Sequence, residues 1–165
     1  MIGLYHLVVD WPLTVENQGD QMPVFPSIEW FEQVIEMFNS DSEKDTAGGG
    51  ACNAIVGVIS GDNIYSLTFE ATECAGVVAL ENEDDLNSTD FYIELHPDDW
   101  KEMLENIKEN GSATDDFTLN SLDLESPDGI ARSWVEDQYR QDLFFRYNQT
   151  FQYFFDASSS LETRF

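Results

Sequence analysis

An α+β domain, a run of short strands set among amphipathic helices, is the fold class that this sequence predicts. Three observations predict it. Apolar residues recur at helical spacing in two separate stretches, 28–38 and 100–107. Short β-branched and aromatic runs, separated by turn clusters, occupy 54–95. A long aromatic stretch over 135–155 then closes the apolar pattern.

Taken in order, residues 1–24 form a leading arm, with a linker-like stretch from Glu16 to Gln21. Pro26 and Ser27 announce a helix from Ser27 to Phe38, with Ser27 as its N-cap. Ile28, Phe31, Ile35 and Phe38 fall on one face, and Glu29, Glu32 and Glu36 take the wet side. After a polar loop to Gly50, strands are expected over Ala54–Ser60 and Ile64–Glu70, joined at Ser60-Gly61-Asp62-Asn63. The alternation places Tyr65, Leu67 and Phe69 on one face. Cys74–Leu80 reads as a third strand and Phe91–Leu95 as a fourth, with the acidic loop Glu81–Thr89 between them.

A second helix starts at Pro97, a favoured first-turn residue, with Asp98 and Asp99 at its positive end. Trp100, Met103, Leu104 and Ile107 form its apolar stripe, and Gly111 stops it. Phe117–Leu124 is expected as a fifth strand, bulged near Asn120-Ser121 because its alternation slips between Leu119 and Leu122. The last helix spans Val135–Phe155. Tyr139, Leu143, Tyr147, Phe151 and Phe154 form one stripe, which Phe144 and other aromatics widen. A helix apolar over so much of its circumference sits centrally, lines a cavity or makes an oligomer contact. The domain is thus expected over 25–156, with a tail at 157–165.

The 165 residues suit one domain with its own core. Hydrophobic residues make up 42%, and 12 Phe, 6 Tyr and 4 Trp must fill a core or line a cavity. Thirty-three acids against seven bases give a formal charge of −26. Such a surface repels nucleic-acid backbones, so nucleic acid is not an expected partner. It suits solubility in a salty medium, or docking of a basic enzyme. No run of 18 apolar residues exists, so no integral membrane segment is expected. The opening MIGLYHLVVDWPL lacks the basic flank of a secretory signal, which points to the cytoplasm and to Cys52 and Cys74 as free thiols.

The groups that carry chemistry are sparse. There is no nucleophile elbow, phosphate-binding glycine loop or dinucleotide fingerprint. His6 and His96 have no spaced metal partner, and Glu81–Asp85 lacks the ordered spacing and glycine of a calcium loop. No catalytic residue, metal or cofactor is expected.

Three segments carry a resemblance. FPSIEWFEQVIEMFNSD (Phe25–Asp41) is similar to an opening helix, IVGVISGDNIYSLTFEATE (Ile55–Glu73) to a first hairpin, and DFYIELHPDDWKEMLENIKENGSA (Asp90–Ala113) to a strand leading into a tryptophan-bearing helix. In this order they resemble the sterol carrier protein type two family, especially its small bacterial stand-alone members, over residues 25–125. The final helix is longer and more aromatic than that family's pattern, and residues 1–24 have no counterpart in it.

The resemblance implies a five-stranded, mostly antiparallel sheet covered by helices, with an apolar tunnel between them for a steroid, sterol or fatty-acyl derivative, bound and transferred or presented without covalent chemistry. The side chains expected to face it are Leu67, Phe69, Phe91 and Ile93 from the strands, and Trp100, Met103, Leu104 and Ile107 from the second helix. Phe117 follows, with Tyr139, Leu143, Phe144, Tyr147, Phe151 and Phe154 from the last helix. Monomer and homodimer both remain open. Two other classes stand beside this reading: a small pocket enzyme like the ketosteroid isomerases, and an acidic accessory subunit of a lipid-metabolising enzyme. The first usually places several helices before its sheet, whereas here the strands start after one.

Overall fold

The structure, a computed structural model, describes residues 22–165. The expected arm at 1–24 therefore lies, up to residue 21, outside the described residues. Helix α1 (Ile28–Ser40) begins where the capping signal places it, with Ser27 Oγ accepting from Trp30 N at 3.1 Å. Its buried face is Trp30, Phe31, Val34 and Phe38, while Ile28 and Ile35 lie at the margin. The stripe is turned towards the tryptophan because its ring contributes the larger apolar area.

Strands β1 (Ala54–Ser60), β2 (Asn63–Glu70) and β3 (Glu73–Leu80) form an antiparallel meander. The β1–β2 turn closes on Gly61, at φ +59, a conformation that glycine adopts without steric cost. A 3-10 turn over Glu83–Ser88 follows, and then β4 (Phe91–Leu95), which runs parallel to β1. Helix α2 (Pro97–Asn110) has His96 as N-cap, its Nδ1 accepting from Asp98 N at 3.1 Å. Gly111, at φ +84, ends it by donating its N–H to Ile107 O at 2.8 Å.

The expected fifth strand over Phe117–Leu124 is not a strand. Asp115–Phe117 is a 3-10 turn, and Leu119–Glu125 is a short helix, α3. Thr118 caps it, with Oγ1 accepting from Ser121 N at 3.1 Å. The slip between Leu119 and Leu122 is an i, i+3 helical pair: Leu119 is buried and Leu122 packs beside it. The fifth strand, β5, is the two-residue Ala131–Arg132, antiparallel to β4. Helix α4 (Gln138–Asp156) follows, and its backbone leaves helical geometry at Tyr147 (φ −111, ψ 15). The chain ends through a 3-10 turn at Ala157–Ser160.

The five-stranded sheet has the order β3-β2-β1-β4-β5, with only β1–β4 parallel. Its helix-facing side carries Val56, Val58, Leu67, Phe69, Phe91 and Ile93 into the main core. The opposite side holds a smaller cluster of Ile59, Ile64 and Leu86 under the 3-10 turn. Gly57 permits this second layer: a Cβ there would lie 2.6 Å from Tyr92 Cβ and 2.8 Å from Leu86 Cδ2.

Residues 157–165, expected as a tail, belong to the packed body. Ser158 and Leu161 are buried, and Trp30 Nε1 donates to Thr163 Oγ1 at 2.9 Å. Phe25 N donates to Arg164 O at 2.8 Å, and Arg164 N to Pro23 O at 3.0 Å. Both described termini therefore meet beside α1.

Candidate functional site

One buried cluster under the helix-facing side of the sheet gathers most of the expected ligand-facing residues. Leu67, Phe69, Phe91 and Ile93 enter it from the strands, because side chains two apart share a face. Trp100, Met103, Leu104 and Ile107 enter from α2 at helical spacing, and Phe144, Phe151 and Phe154 from α4. All eleven belong to one buried cluster, with Leu143 and Tyr147 partly buried against it.

The rings meet edge to face, the geometry that their quadrupoles favour. Phe151 lies 5.4 Å from both Phe69 and Phe91, and Phe154 lies 5.5 Å from Phe69. Phe144 reaches Phe91 at 6.2 Å, and Tyr147 reaches Phe151 at 6.4 Å. The side chains of this interior pack against one another. Two expected residues stand apart from it: Phe117 is half-buried in its 3-10 turn, and Tyr139 is 88% exposed. Tyr139 satisfies the helical stripe but stands on the outward face of the first half of α4, with Gln138 and Asp142, while Arg140 and Gln141 are half-buried.

Trp100 is the one indole in the cluster that is tied to the sheet, Nε1 donating to Ile59 O at 2.8 Å. Among the described residues, two buried polar atoms lack a partner: Ser133 Oγ just ahead of α4, and Asn148 Nδ2 just after the break at Tyr147. Each such group costs about 1–3 kcal/mol. Sequence reasoning missed both, since neither residue type nor spacing marks them.

Beyond the cluster, a groove of about 440 Å³ opens between the end of α1, the Gly111-Ser112 turn and the end of α4. Tyr153 Oη donates to Asp41 Oδ2 at 2.6 Å across one side of it. That hydrogen bond holds the Asp41 carboxyl below the usual range and pushes the Tyr153 phenol up to about 12. Asp156 also lines the groove, and burial raises its carboxyl although Oδ1 accepts from Ala113 N at 2.9 Å and Gln152 Nε2 at 3.0 Å. In so acidic a chain, no sequence signal singled out these carboxylates.

Cys52 and Cys74 are buried free thiols, and burial pushes both up to about 12. They are therefore poor nucleophiles near neutral pH. No described helix is long and apolar enough to cross a membrane, and no cluster of three metal-ligating side chains occurs among the described residues.

No family model matches the chain, and no curated protein does. Solved structures do. The crystal structure of sterol carrier protein 2 aligns at a TM-score of 0.55 and 15% identity, covering 82% of this chain and 97% of that one. A solution structure from Thermus thermophilus, of a conserved hypothetical protein described as possibly a sterol carrier protein, aligns at 0.56 and 16%. It covers 87% of this chain and 93% of that one. The chain has the fold of these two proteins, as its segment order implied.

Proposed function

We propose that this protein binds a hydrophobic, lipid-like molecule — a steroid, sterol or fatty-acyl derivative — and transfers or presents it in the cytoplasm without covalent chemistry. The observation that carries the proposal is the shared fold, taken with an aromatic interior whose covering helix is divided at Tyr147. The C-terminal half of α4 is held by Thr150, Phe151, Phe154 and Phe155, all buried, whereas Phe144 is the one fully buried residue of the first half. Displacing the first half would free Phe144 and Tyr147 from Phe91 and Phe151 and open an apolar slot along β4.

A ligand that buries about 300 Å² of apolar surface there gains roughly 7 kcal/mol before association costs. Flat rings suit flat aromatic walls. The unpartnered Asn148 amide and Ser133 hydroxyl, at the two ends of that first half, would then serve a ligand's oxygen. The isomerase-like alternative draws no support from the site. The raised carboxyl, Asp156, lies in the groove at the far end of α4 and is already engaged by Ala113 and Gln152. The fold it shares is also that of the sterol carrier proteins.

Incubation of the purified protein with a lipid extract, followed by native mass spectrometry, tests the proposal. The expected result is a retained lipid of defined mass and a change in Trp100 fluorescence on titration with that lipid. Clean apo protein with unchanged fluorescence across steroids and fatty acids would overturn it.

A further inference from the structure

Four aromatic side chains are exposed among the described residues, and three of them, Trp134, Tyr139 and Phe145, lie within twelve positions of each other. Trp134 is 36% exposed, Phe145 53% and Tyr139 88%, with Val135 at 54% beside them. On the first half of α4 the outward positions are Gln138, Tyr139, Asp142, Phe145 and Arg146. Their spacing of i, i+1, i+4, i+7 and i+8 makes them one continuous face.

The charge of this segment departs from the rest of the chain. Three of the four arginines, Arg132, Arg140 and Arg146, fall within 132–146, where they balance Glu136, Asp137 and Asp142. The face itself carries one charge of each sign, Asp142 and Arg146, and is formally neutral on a molecule of −26. Arg132 and Arg140 are only loosely paired, at 3.7 Å from Glu94 and Asp137. Arg146 lies 5.3 Å above the Tyr147 ring and has no carboxylate within 4.0 Å among the described residues.

We propose that this face docks on a zwitterionic phospholipid surface, with Trp134 and Tyr139 at headgroup level, Phe145 on the acyl side of them and Arg146 on a lipid phosphate. Tryptophan and tyrosine rings, each with a polar edge, favour headgroup depth, a phenylalanine ring favours the acyl region below it, and guanidinium groups match phosphate geometry. A neutral face brings the protein to a neutral surface, whereas the acidic body is repelled by an anionic one. The proposal rests on the lipid-carrier reading and names where cargo is exchanged. The docked segment is also the half of α4 ahead of the break at Tyr147, so docking and opening would use the same hinge.

Flotation with phosphatidylcholine vesicles tests it, with phosphatidylglycerol vesicles as the contrasting arm. The wild type is expected to float with phosphatidylcholine, and a Trp134→Ser/Tyr139→Ser/Phe145→Ser variant to lose at least tenfold in partitioning. Arg146→Gln should weaken it severalfold. All these positions are exposed or half-buried, so folding is checked by circular dichroism and expected to persist. Loading of a fluorescent fatty acid from solution should be unchanged in every variant.

Wild type that stays in the soluble fraction, or a triple variant that floats equally well, overturns the docking proposal. So does self-association on a sizing column that the triple variant abolishes, since a second copy would then cover the face. Lipid loading from solution reports on the carrier reading independently of each of these outcomes.

Discussion

At the residue scale, Phe151 and Tyr139 separate two meanings of an aromatic at helical spacing. They belong to the same stripe in the sequence, yet Phe151 is 1% exposed between Phe69, Phe91 and Tyr147, and Tyr139 stands in solvent. As an open tunnel wall, Phe151 would lose only about 1–2 kcal/mol on truncation, below the usual core range. With rings packed on three sides, Phe151→Ala is expected to cost about 3–5 kcal/mol, read as a lowered urea midpoint. Tyr139→Ala should change stability by no more than about 0.5 kcal/mol.

The two carboxyls of the polar groove make opposite contributions with pH. The pKa of Asp41 is lowered in the folded state, so its contribution is present above about 3.9 and fades as pH falls through the folded value. That of Asp156 is raised, so its contribution is present below about 3.9 and lost as pH rises through the folded value. Asp156→Asn keeps an acceptor for Ala113 and Gln152, and should match or exceed wild-type stability at pH 7 while losing that advantage in acid. Tyr153→Phe should flatten the acid loss due to Asp41. It should also remove the loss expected between about 10 and about 12, where the raised Tyr153 phenol ionises. Urea midpoints across pH for the three proteins check both signs, and equal profiles would contradict them.

At the element scale, periodicity was a good guide wherever an element is long and packs on one side. Strands β1 and β4 and helix α2 lie where alternation, the Pro97 start and the Gly111 stop place them. It misled over 117–124, where eight residues admit both a slipped alternation and an i, i+3 pair. Thr118 settled that choice by capping a helix. Strand β5, two residues long, offers no period to read. Helix α4 is one pattern in sequence but two bodies in space. The amides of 138–146 are expected to exchange with deuterium at least tenfold faster than those of 150–156, because local opening follows the density of buried contacts. Uniform protection along α4 would argue against a hinge at Tyr147.

At the scale of the whole molecule, the C-terminal nine residues and the strand-like residues before α1 close the body together. Thr163 accepts from the Trp30 indole, Leu161 is buried, and Lys108 Nζ lies 2.7 Å from Glu162 Oε1. A chain truncated after Asp156 would strip Trp30 of its partner and uncover the surfaces of α1 and α2 on which the terminal 3-10 turn packs. It should lose at least about 3 kcal/mol, measured by urea denaturation with a red-shifted tryptophan emission. Stability indistinguishable from that of the full chain would mean that this segment only lies on the surface.

The local elements are legible in the residues themselves: the Ser27 cap, the hairpin turn at Gly61, the inward faces of the strands and the apolar stripe of α2. Each depends on neighbours a few positions away, and period and turn chemistry record those directly. Eleven of the fifteen expected ligand-facing residues lie in one buried cluster. Only the tertiary structure decided the parallel pairing of β1 with β4, the place of β5 and the joining of the tail to α1. It alone decided, too, where α4 breaks. Those outcomes come from contacts between residues far apart in the chain. A side chain such as Tyr139 carries no mark of whether a partner surface will reach it.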